Sequence, residues 1–250
     1  MQFERGKMRL SLKKVNQVYD NRKILEDINF DIADREFVTI LGPSGCGKST
    51  IFKMITGLEK NYSGNIEIDG IDIKNYKEKL AYMPQNDLLF PWRVLYDNVK
   101  LPLEIEKMDK KKMYEKIIKL LPEFKLTGEE KKYPSELSGG MKKRAALLRT
   151  FLVSSDILLL DEPFGALDAI TKSELQDFLL EICEKYKHTV LFITHDIDEA
   201  IHLSDRIIVL GKQPTKIVKE IKIEFAKPRK KDIFLESKFL EYKREIMDLL

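Results

Sequence analysis

The stretch Gly42-Pro43-Ser44-Gly45-Cys46-Gly47-Lys48-Ser49-Thr50 decides how the rest of the chain is read. It fits the pattern G-x-x-x-x-G-K-[ST], with Gly42 opening, Gly47 and Lys48 closing, and Ser49 ending the match. The spacing has a chemical reason. Glycines let successive backbone N–H groups turn inward around a phosphate with no Cβ in the way. Lys48 supplies a compact positive charge for the outer phosphates, and Ser49 a hydroxyl suited to Mg2+. A helix that follows directs its positive end at the same point. The flanks provide the context. Phe37–Leu41 is a short apolar run that reads as a buried strand, and Ile51–Leu58 carries apolar residues at 51, 52, 54, 55 and 58, which suits a buried helix. The competing reading is a glycine-rich turn without a ligand, and the order strand, loop, helix weighs against it.

With 250 residues the chain can bury a sizeable core, as one large α/β domain or a core with a subdomain. Hydrophobic residues at 43% and charged residues at 34% give a soluble profile. The net charge of +3, from 44 basic against 41 acidic residues, is too small to argue for nucleic acid, so none is expected as a partner. No apolar run approaches the ~20 residues needed to cross a bilayer. Met1–Leu10 lacks the apolar stretch of a signal peptide, so a cytosolic protein is expected, serving a membrane only as a bound subunit.

The cysteines, Cys46 and Cys183, lie far apart and outside any Cys-x-x-Cys or Cys/His cluster, which argues against a disulfide framework or a metal site. Cys183 belongs to an apolar helix face. Cys46 sits near Lys48 and a helix N-terminus, conditions that lower a thiol pKa, so alkylation there is expected to block nucleotide binding. The other reading is a small residue tolerated without reactivity.

Outward from the loop, Met8, Leu10 and Leu12 alternate, as do Ile28, Phe30 and Ile32, and Ile66 and Ile68 follow Ser63-Gly64 and end at the turn pair Asp69-Gly70. These strands suggest a twisted sheet beside the loop. From Tyr96 to Leu152 the pattern is helical, with Met113, Ile117, Leu120 and Leu121 on one face. The middle stretch therefore reads as a helical subdomain inserted into an α/β core. Lys110-Lys111-Lys112 reads as a solvated face. Strand patterns return at Ile157–Leu160, Thr189–Ile193 and Ile207–Leu210, then more weakly over Ile217–Phe225. Thr171-Lys-Ser-Glu174 fits a capping box at a helix start. Pro228 and the basic run Arg229-Lys230-Lys231 mark a boundary before an amphipathic tail helix carrying Phe239, Tyr242, Ile246 and Leu249. Strands alternating with helices argue for a mostly parallel sheet covered on both faces.

Asp161 follows an all-apolar strand, so its carboxylate emerges where ligands sit in an open α/β sheet and reads as the acid that holds Mg2+. Glu162, next in line, can accept a proton from an attacking water. A helix cap or a surface salt bridge is the plainer reading of this pair. Ser138-Gly139-Gly140 before a helix is by itself a loop or a cap, yet a hydroxyl and unobstructed N–H groups at a helix N-terminus also form an anion site.

With Ser138-Gly139-Gly140 inside Leu137–Met141, the phosphate loop, Gln85, Leu158–Glu162, Ala166-Leu167-Asp168 and His195 in order, the chain resembles the ATP-binding subunit of ABC transporters over roughly Met8 to Phe225. The resemblance implies a P-loop NTPase fold of RecA-like type with a mostly parallel sheet, an antiparallel β subdomain and an inserted helical subdomain. It implies an ATPase domain over residues 8–225, its helical part about 86–155, and a separate tail over 226–250. It gives ATP and Mg2+ as cofactors. Tyr19 would stack on adenine. Gln85 would touch Mg2+ and the attacking water, with Ser49 and Asp161 as the other metal-binding residues. His195 would contact the γ-phosphate and Asp168 would organise a dimer interface. Two copies would pack head to tail, each ATP lying between one copy's phosphate loop and the other's Ser138-Gly139-Gly140. Membrane permease subunits, and indirectly an extracytoplasmic solute-binding protein, are the implied partners, which places the chain on the cytoplasmic face of the membrane.

A narrower likeness is to the nitrate, sulfonate and taurine importer branch, through Leu89-Phe90-Pro91-Trp92-Arg93 with Asp97-Asn98-Val99, Thr194-His195-Asp196 with Asp198-Glu199-Ala200, and the closing Phe239–Leu250 pattern. Met141, Lys142-Lys143 and Gly165 depart from the commoner family residues. Pro84 before Gln85 leaves the cargo open, since pyrimidine or riboflavin-type importers look similar. A soluble ATPase of this type in DNA repair or translation is the alternative, and a phosphate-loop kinase or GTPase a third. The missing Asn-Lys-x-Asp guanine motif weighs against the third.

Overall fold

The computed structural model describes residues 7–229 and 231–250. The first six residues, part of the stretch read above for a leader, and Lys230 of the basic boundary run lie outside the described residues. In chain order the strands are β1 (Met8–Tyr19), β2 (Arg22–Ala33), β3 (Phe37–Leu41), β4 (Ser63–Ile68), β5 (Ile71–Asp72), β6 (Ala81–Met83), β7 (Ile157–Asp161), β8 (Thr189–Thr194), β9 (Arg206–Leu210) and β10 (Ile217–Lys222). The α-helices are α1 (Lys48–Ile55), α2 (Leu95–Val99), α3 (Leu101–Ile105), α4 (Lys110–Leu120), α5 (Gly139–Phe151), α6 (Ala169–Tyr186), α7 (Ile197–Leu203) and α8 (Ser237–Leu249). The chain divides into two compact units, one running up to Glu78 and resuming at Cys183–Leu250, the other Lys79–Ile182.

In the first unit, β1 and β2 form an antiparallel hairpin turned by Asp20 and Asn21, both left-handed at φ 47° and 62°. That conformation matches the right-handed twist of the strands it joins. The sheet continues in the order β2-β1-β4-β5. Leu10, Leu12, Val15, Ile28, Phe30, Ile32, Ile66 and Ile68 are all buried, as the alternation in sequence requires. Where β4 meets an irregularity in β1, Gly64 has φ +95°, and a Cβ there would lie 2.3 Å from the Lys14 carbonyl oxygen. Only glycine fits.

A second sheet in this unit places β3 between β8 and β9, parallel to both, with β10 antiparallel to β9. Every residue of β3 and β8 is buried, the signature of parallel strands covered on both faces. The polar members are satisfied: the buried Ser204 hydroxyl donates to that of Thr39 on β3. In this register Leu41 pairs with Thr194 on one side and Val209 on the other. The segments after β3, β8 and β9 therefore leave the sheet at one end.

The tail, a short 3-10 turn (Lys231–Leu235) and then α8, closes over the same unit. Phe239 and Ile246 enter a cluster with Ile201, Val209, Ile221 and Ile233. Polar contacts fix the direction of α8. The Tyr242 hydroxyl accepts from the Glu224 N–H at 3.2 Å, and Lys243 pairs with Asp198 of α7 at 2.7 Å.

In the second unit β6 and β7 pair in parallel, Met83 beside Leu160. α4 is capped by Asp109, which accepts from the Lys111 and Lys112 N–H groups, and buries Met113, Ile117 and Leu120. Lys110, Lys111 and Lys112 are exposed, as a solvated face would be. Phe124 is fully buried, edge-on to Phe151 and Phe178 at 5.4 and 5.2 Å. Two local expectations need correction. The helix after the phosphate loop starts at Lys48, inside the loop motif, not at Ile51. The helix expected to begin at a Thr171 capping box begins at Ala169, because the Asp168 carboxylate accepts from the Ile170 and Thr171 N–H groups and caps it first.

Truncating Phe239 to alanine removes the largest apolar group that the tail inserts. Phe239→Ala should lower the unfolding free energy by about 3–5 kcal/mol in a urea titration. An unchanged midpoint would show that the tail contributes nothing to the stability of this unit.

Candidate functional site

The phosphate loop is built at the end of β3. Gly42 must be glycine for a packing reason: a Cβ there would sit 3.0 Å from both Cβ and the carbonyl oxygen of Leu210, at the end of β9. Gly47 must be glycine for two reasons. Its φ is +107°, and a Cβ would meet Leu25 of β2 at 2.9 Å. As the N-cap of α1, Gly47 offers no side-chain acceptor to the first-turn N–H groups, the condition under which a helix start receives an anion. Ser44 and Gly45 form the exposed tip, and Ser49 and Thr50 lie half-buried in the first turn of α1. Lys48 is only 5% exposed. Its ammonium donates to the carbonyl oxygens of Gly42 and Pro43 at 2.8 and 2.9 Å.

Cys46 is buried, and burial pushes its thiol pKa up against the smaller opposing pull of Lys48. The expected lowering of that pKa is thus corrected: proximity to a lysine in sequence is outweighed by loss of water. Cys183 is buried too, and its thiol is pushed up by the same cause.

His195 follows Thr194, the strand partner of Leu41, so the structure brings it to the sheet end that carries the phosphate loop. It is held between anchors on either side. Thr194 donates its hydroxyl to Glu199 at 2.5 Å and accepts from the Asp196 N–H, and Asp196 caps α7. Tyr19 ends β1 at the β1–β2 hairpin and is 63% exposed, which leaves its ring face available.

Sequence reasoning missed a second layer behind the loop. The buried Thr215 hydroxyl donates to the Cys46 carbonyl at 2.5 Å, and the Gln213 amide donates to the Gly45 carbonyl at 2.7 Å. Gln-Pro-Thr between two strand patterns reads as an ordinary turn, and no local signal connects it with a loop so far away in the chain.

The second unit holds the remaining candidates. Gln85 and Glu162, two residues beyond the paired Met83 and Leu160, are brought together, the amide Nε2 of Gln85 donating to Glu162 Oε2 at 3.2 Å. Glu162 has φ +44°, a left-handed turn that takes the chain sharply out of β7. Asp161 is buried at the end of β7 against Tyr82, whose phenol is pushed up to about 12 by burial and by the Asp161 carboxylate.

Ser138 caps α5, its Oγ accepting from the Met141 N–H at 3.3 Å. Gly139 and Gly140 lie against the segment around Asp168. Cβ atoms on them would lie 3.3 Å from Leu167 and 2.7 Å from Thr171. The structure thus joins Ser138-Gly139-Gly140 to the start of α6. Asp168 has its pKa lowered by hydrogen bonds from the Thr171 side chain and backbone.

Three more residues hold the backbone of this unit: Lys143 and Asn98, noted in sequence only as parts of family patterns, and Arg149, not noted at all. Lys143 and Arg149 of α5 hold the segment carrying Gln85: Lys143 donates to the Gln85 carbonyl at 3.0 Å and pairs with Asp87 at 2.8 Å, and Arg149 donates to the Leu88 carbonyl at 2.7 Å. Fully buried Asn98 binds the backbone of Phe90, Arg93 and Val94, and so fixes a loop on which Trp92 is 70% exposed.

Comparison with known proteins places this geometry. Residues 25–165 match the model of the ABC transporter family. The aliphatic sulfonates import ATP-binding protein SsuB of Bacillus cereus is 41% identical over 244 residues, 96% of this chain and 95% of that protein. The formylaminopyrimidine import ATP-binding protein ThiZ of Halalkalibacterium halodurans is 42% identical over 215 residues, 86% of this chain and 84% of its own length. Among solved structures, the dimeric post-hydrolysis state of the ATP-binding cassette MJ0796 bound to ADP and Pi superposes with a TM-score of 0.75 at 29% identity, covering 87% of this chain and all of that one. The α/β phosphate-loop fold expected from the sequence is thereby established. None of these relatives is a DNA-repair or translation ATPase.

A raised pKa leaves little thiolate at neutral pH, and burial blocks approach. Cys46 should therefore react with N-ethylmaleimide at pH 7 at least tenfold more slowly than glutathione does, and faster as the pH rises. Labelling at the glutathione rate, read by mass spectrometry, would contradict the placement of this thiol.

Proposed function

The chain belongs to the ABC transporter family, among its ATP-binding subunits and ATPases, and from that premise we propose that it powers an importer of a small, anionic, sulfonate-like solute. The observation that carries the nucleotide-binding part of this reading is the phosphate loop itself, a glycine-lined backbone turn leading into an uncapped helix start with a buried lysine folded across it. The sulfonate relative supports the cargo class, and the pyrimidine relative keeps it at the level of a small solute.

In this proposal the backbone of Gly42–Ser49 wraps the phosphates of ATP, and Lys48 exchanges its two carbonyl partners for phosphate oxygens, which are stronger acceptors because they are charged. Tyr19 stacks on adenine. Glu162 accepts the proton of the attacking water, with Gln85, already hydrogen-bonded to it, orienting that water. His195 contacts the γ-phosphate, and Thr50 completes the first turn of α1.

Among the described residues no group of His, Cys, Asp and Glu side chains forms a ready cation cage. Mg2+ keeps water and phosphate oxygens and takes only a few protein ligands. The buried Asp161 carboxylate, the Ser49 hydroxyl and the Gln85 amide oxygen are hard donors of the right kind and would hold it. When bound, the ion neutralises phosphate charge.

We further propose that two copies pair head to tail, with Ser138-Gly139-Gly140 of one completing the ATP site of the other and Asp168 ordering the interface. That the similar MJ0796 cassette is dimeric supports the pairing of two copies. The domain reading, an ATPase body over residues 8–225 with a helical part about 86–155 and a tail from 226, goes with it. The loop carrying exposed Leu88 and Trp92 is the surface offered to a membrane permease, which in turn receives solute from an extracytoplasmic binding protein. No described helix is long and apolar enough to cross a membrane; the role proposed is that of a bound subunit on the cytoplasmic face.

Glu162→Gln should retain ATP, lower turnover by ~10²–10⁴-fold and accumulate an ATP-bound dimer in size-exclusion chromatography. Undiminished hydrolysis would remove Glu162 from its role, and a strictly monomeric ATP-loaded variant would overturn the shared site. Lys48→Ala should weaken ATP binding at least tenfold in a calorimetric titration, and equal affinity would contradict the phosphate-loop assignment.

A further inference from the structure

Phosphate is gripped by N–H groups that point into the loop, so the carbonyls of the same peptides must point outward. What holds those carbonyls determines whether the N–H groups stay aimed. In this chain the outward carbonyls have dedicated partners. Thr215, completely buried, donates its hydroxyl to the Cys46 carbonyl at 2.5 Å. Gln213, exposed, reaches the Gly45 carbonyl at 2.7 Å. Both sit on the turn between β9 and β10, closed by the Gly211 N–H donating to the Lys216 carbonyl at 3.0 Å.

That turn is itself anchored. The Thr215 N–H donates to the Ile24 carbonyl and its carbonyl accepts from the Glu26 N–H, both at 2.9 Å, so Thr215 is stitched to β2 on either side of Leu25. Leu25 is the residue that packs against Gly47, and Leu210, just before the turn, is the one that packs against Gly42. The loop thus rests on one continuous support made of β2, the end of β9 and the turn.

We propose that Gln213 and Thr215 are positioning residues for nucleotide binding. They fix the peptide planes at the crown of the phosphate loop, so that its N–H groups are aimed before ligand arrives. Because a peptide is planar and trans, anchoring the Cys46 carbonyl from outside turns the Gly47 N–H the opposite way, into the cradle. The Gly45 carbonyl is in the same peptide as the Cys46 N–H, which spans the turn to the Pro43 carbonyl at a loose 3.3 Å. Two rotatable glycines, Gly45 and Gly47, flank Cys46 with positive φ, so this is the part of the loop that has most freedom to lose. Preorganisation lowers the ordering penalty at binding and shows up as affinity. The inference rests on the reading that this loop binds ATP phosphates.

The test is binding and steady-state turnover of a fluorescent ATP analogue with Mg2+ by the full chain and four variants. Thr215→Val, which keeps shape and removes the donor, should weaken binding about tenfold, and Thr215→Ser should restore it to within about twofold. Gln213→Ala, at an exposed position where folding is undisturbed, should weaken binding about threefold. Lys212→Ala, exposed on the same turn, should leave it unchanged. KM should rise with kcat altered less than twofold, a split that general destabilisation does not produce, and circular dichroism melts of the nucleotide-free variants should agree with the parent within a few degrees. Parental affinity in both Thr215→Val and Gln213→Ala overturns the inference, as does failure of serine to rescue. Absence of binding by the unmodified chain would instead overturn the nucleotide assignment itself.

Discussion

The site depends first on an ammonium group kept almost entirely from water. Lys48 is buried, and an unpaired buried charge of this kind costs several kcal/mol. Its compensation is the backbone of its own loop, the carbonyls of Gly42 and Pro43. That arrangement draws the loop into a ring and explains why the residues around it are so restricted. Gly42 can bring its carbonyl to the lysine only while nothing occupies the space against Leu210. The lysine can reach back only because α1 begins at Lys48 itself. Strand end, glycine turn and helix start are therefore one device, and in the proposed role a phosphate would enter it by outcompeting neutral carbonyls for a cation already in place.

Much of this was legible because its causes are local. An apolar run of five, a glycine turn and a helical period each declare themselves within a few residues, and so do β3, the loop and α1. The same holds for β7 and the carboxylates that end it. What was misread had two acceptable local answers. Asp168 and Thr171 are both good helix caps, and in the fold Asp168 takes the role, accepting from the Ile170 and Thr171 N–H groups and from the Thr171 side chain. Cys46 was misjudged because charge proximity can be seen in sequence and burial cannot. Thr215 and Gln213 were invisible for a stronger reason. Their function is to meet residues far away in the chain, and only the parallel pairing of β3 with β9 brings the two ends together.

The helix after Ser138-Gly139-Gly140 shows how one run of basic residues is divided by direction. Lys143 and Arg149 turn toward the backbone around Gln85, holding its carbonyl and that of Leu88. Arg144, one position on from Lys143, points elsewhere and lies over the Phe178 ring at 4.7 Å, its pKa lowered by burial. On sequence grounds Lys142-Lys143 is a departure from the family pattern. In the folded unit Lys143 is buried and paired with Asp87, so the unusual residue has a structural counterpart in the segment it holds. These contacts tie the Gln85 segment to α5.

β3 is fastened at both ends by residues that follow it by more than half the chain. At its start, the Phe37 N–H donates to the Asp205 carboxylate at 3.0 Å, and the same carboxylate collects Lys227 at 2.7 Å and Arg229 at 3.3 Å. Arg229 also donates to the His202 carbonyl, and the His202 ring stacks on Phe234 of the tail at 5.1 Å. At its finish, Leu210 and the turn carrying Gln213 and Thr215 back the phosphate loop. The tail thus bears, through Asp205, on the strand that feeds the loop. It also covers α7, whose capped start follows His195 directly. Through these contacts the tail is coupled to the start of β3, the strand that leads into the glycine loop, and to α7, the helix that follows His195.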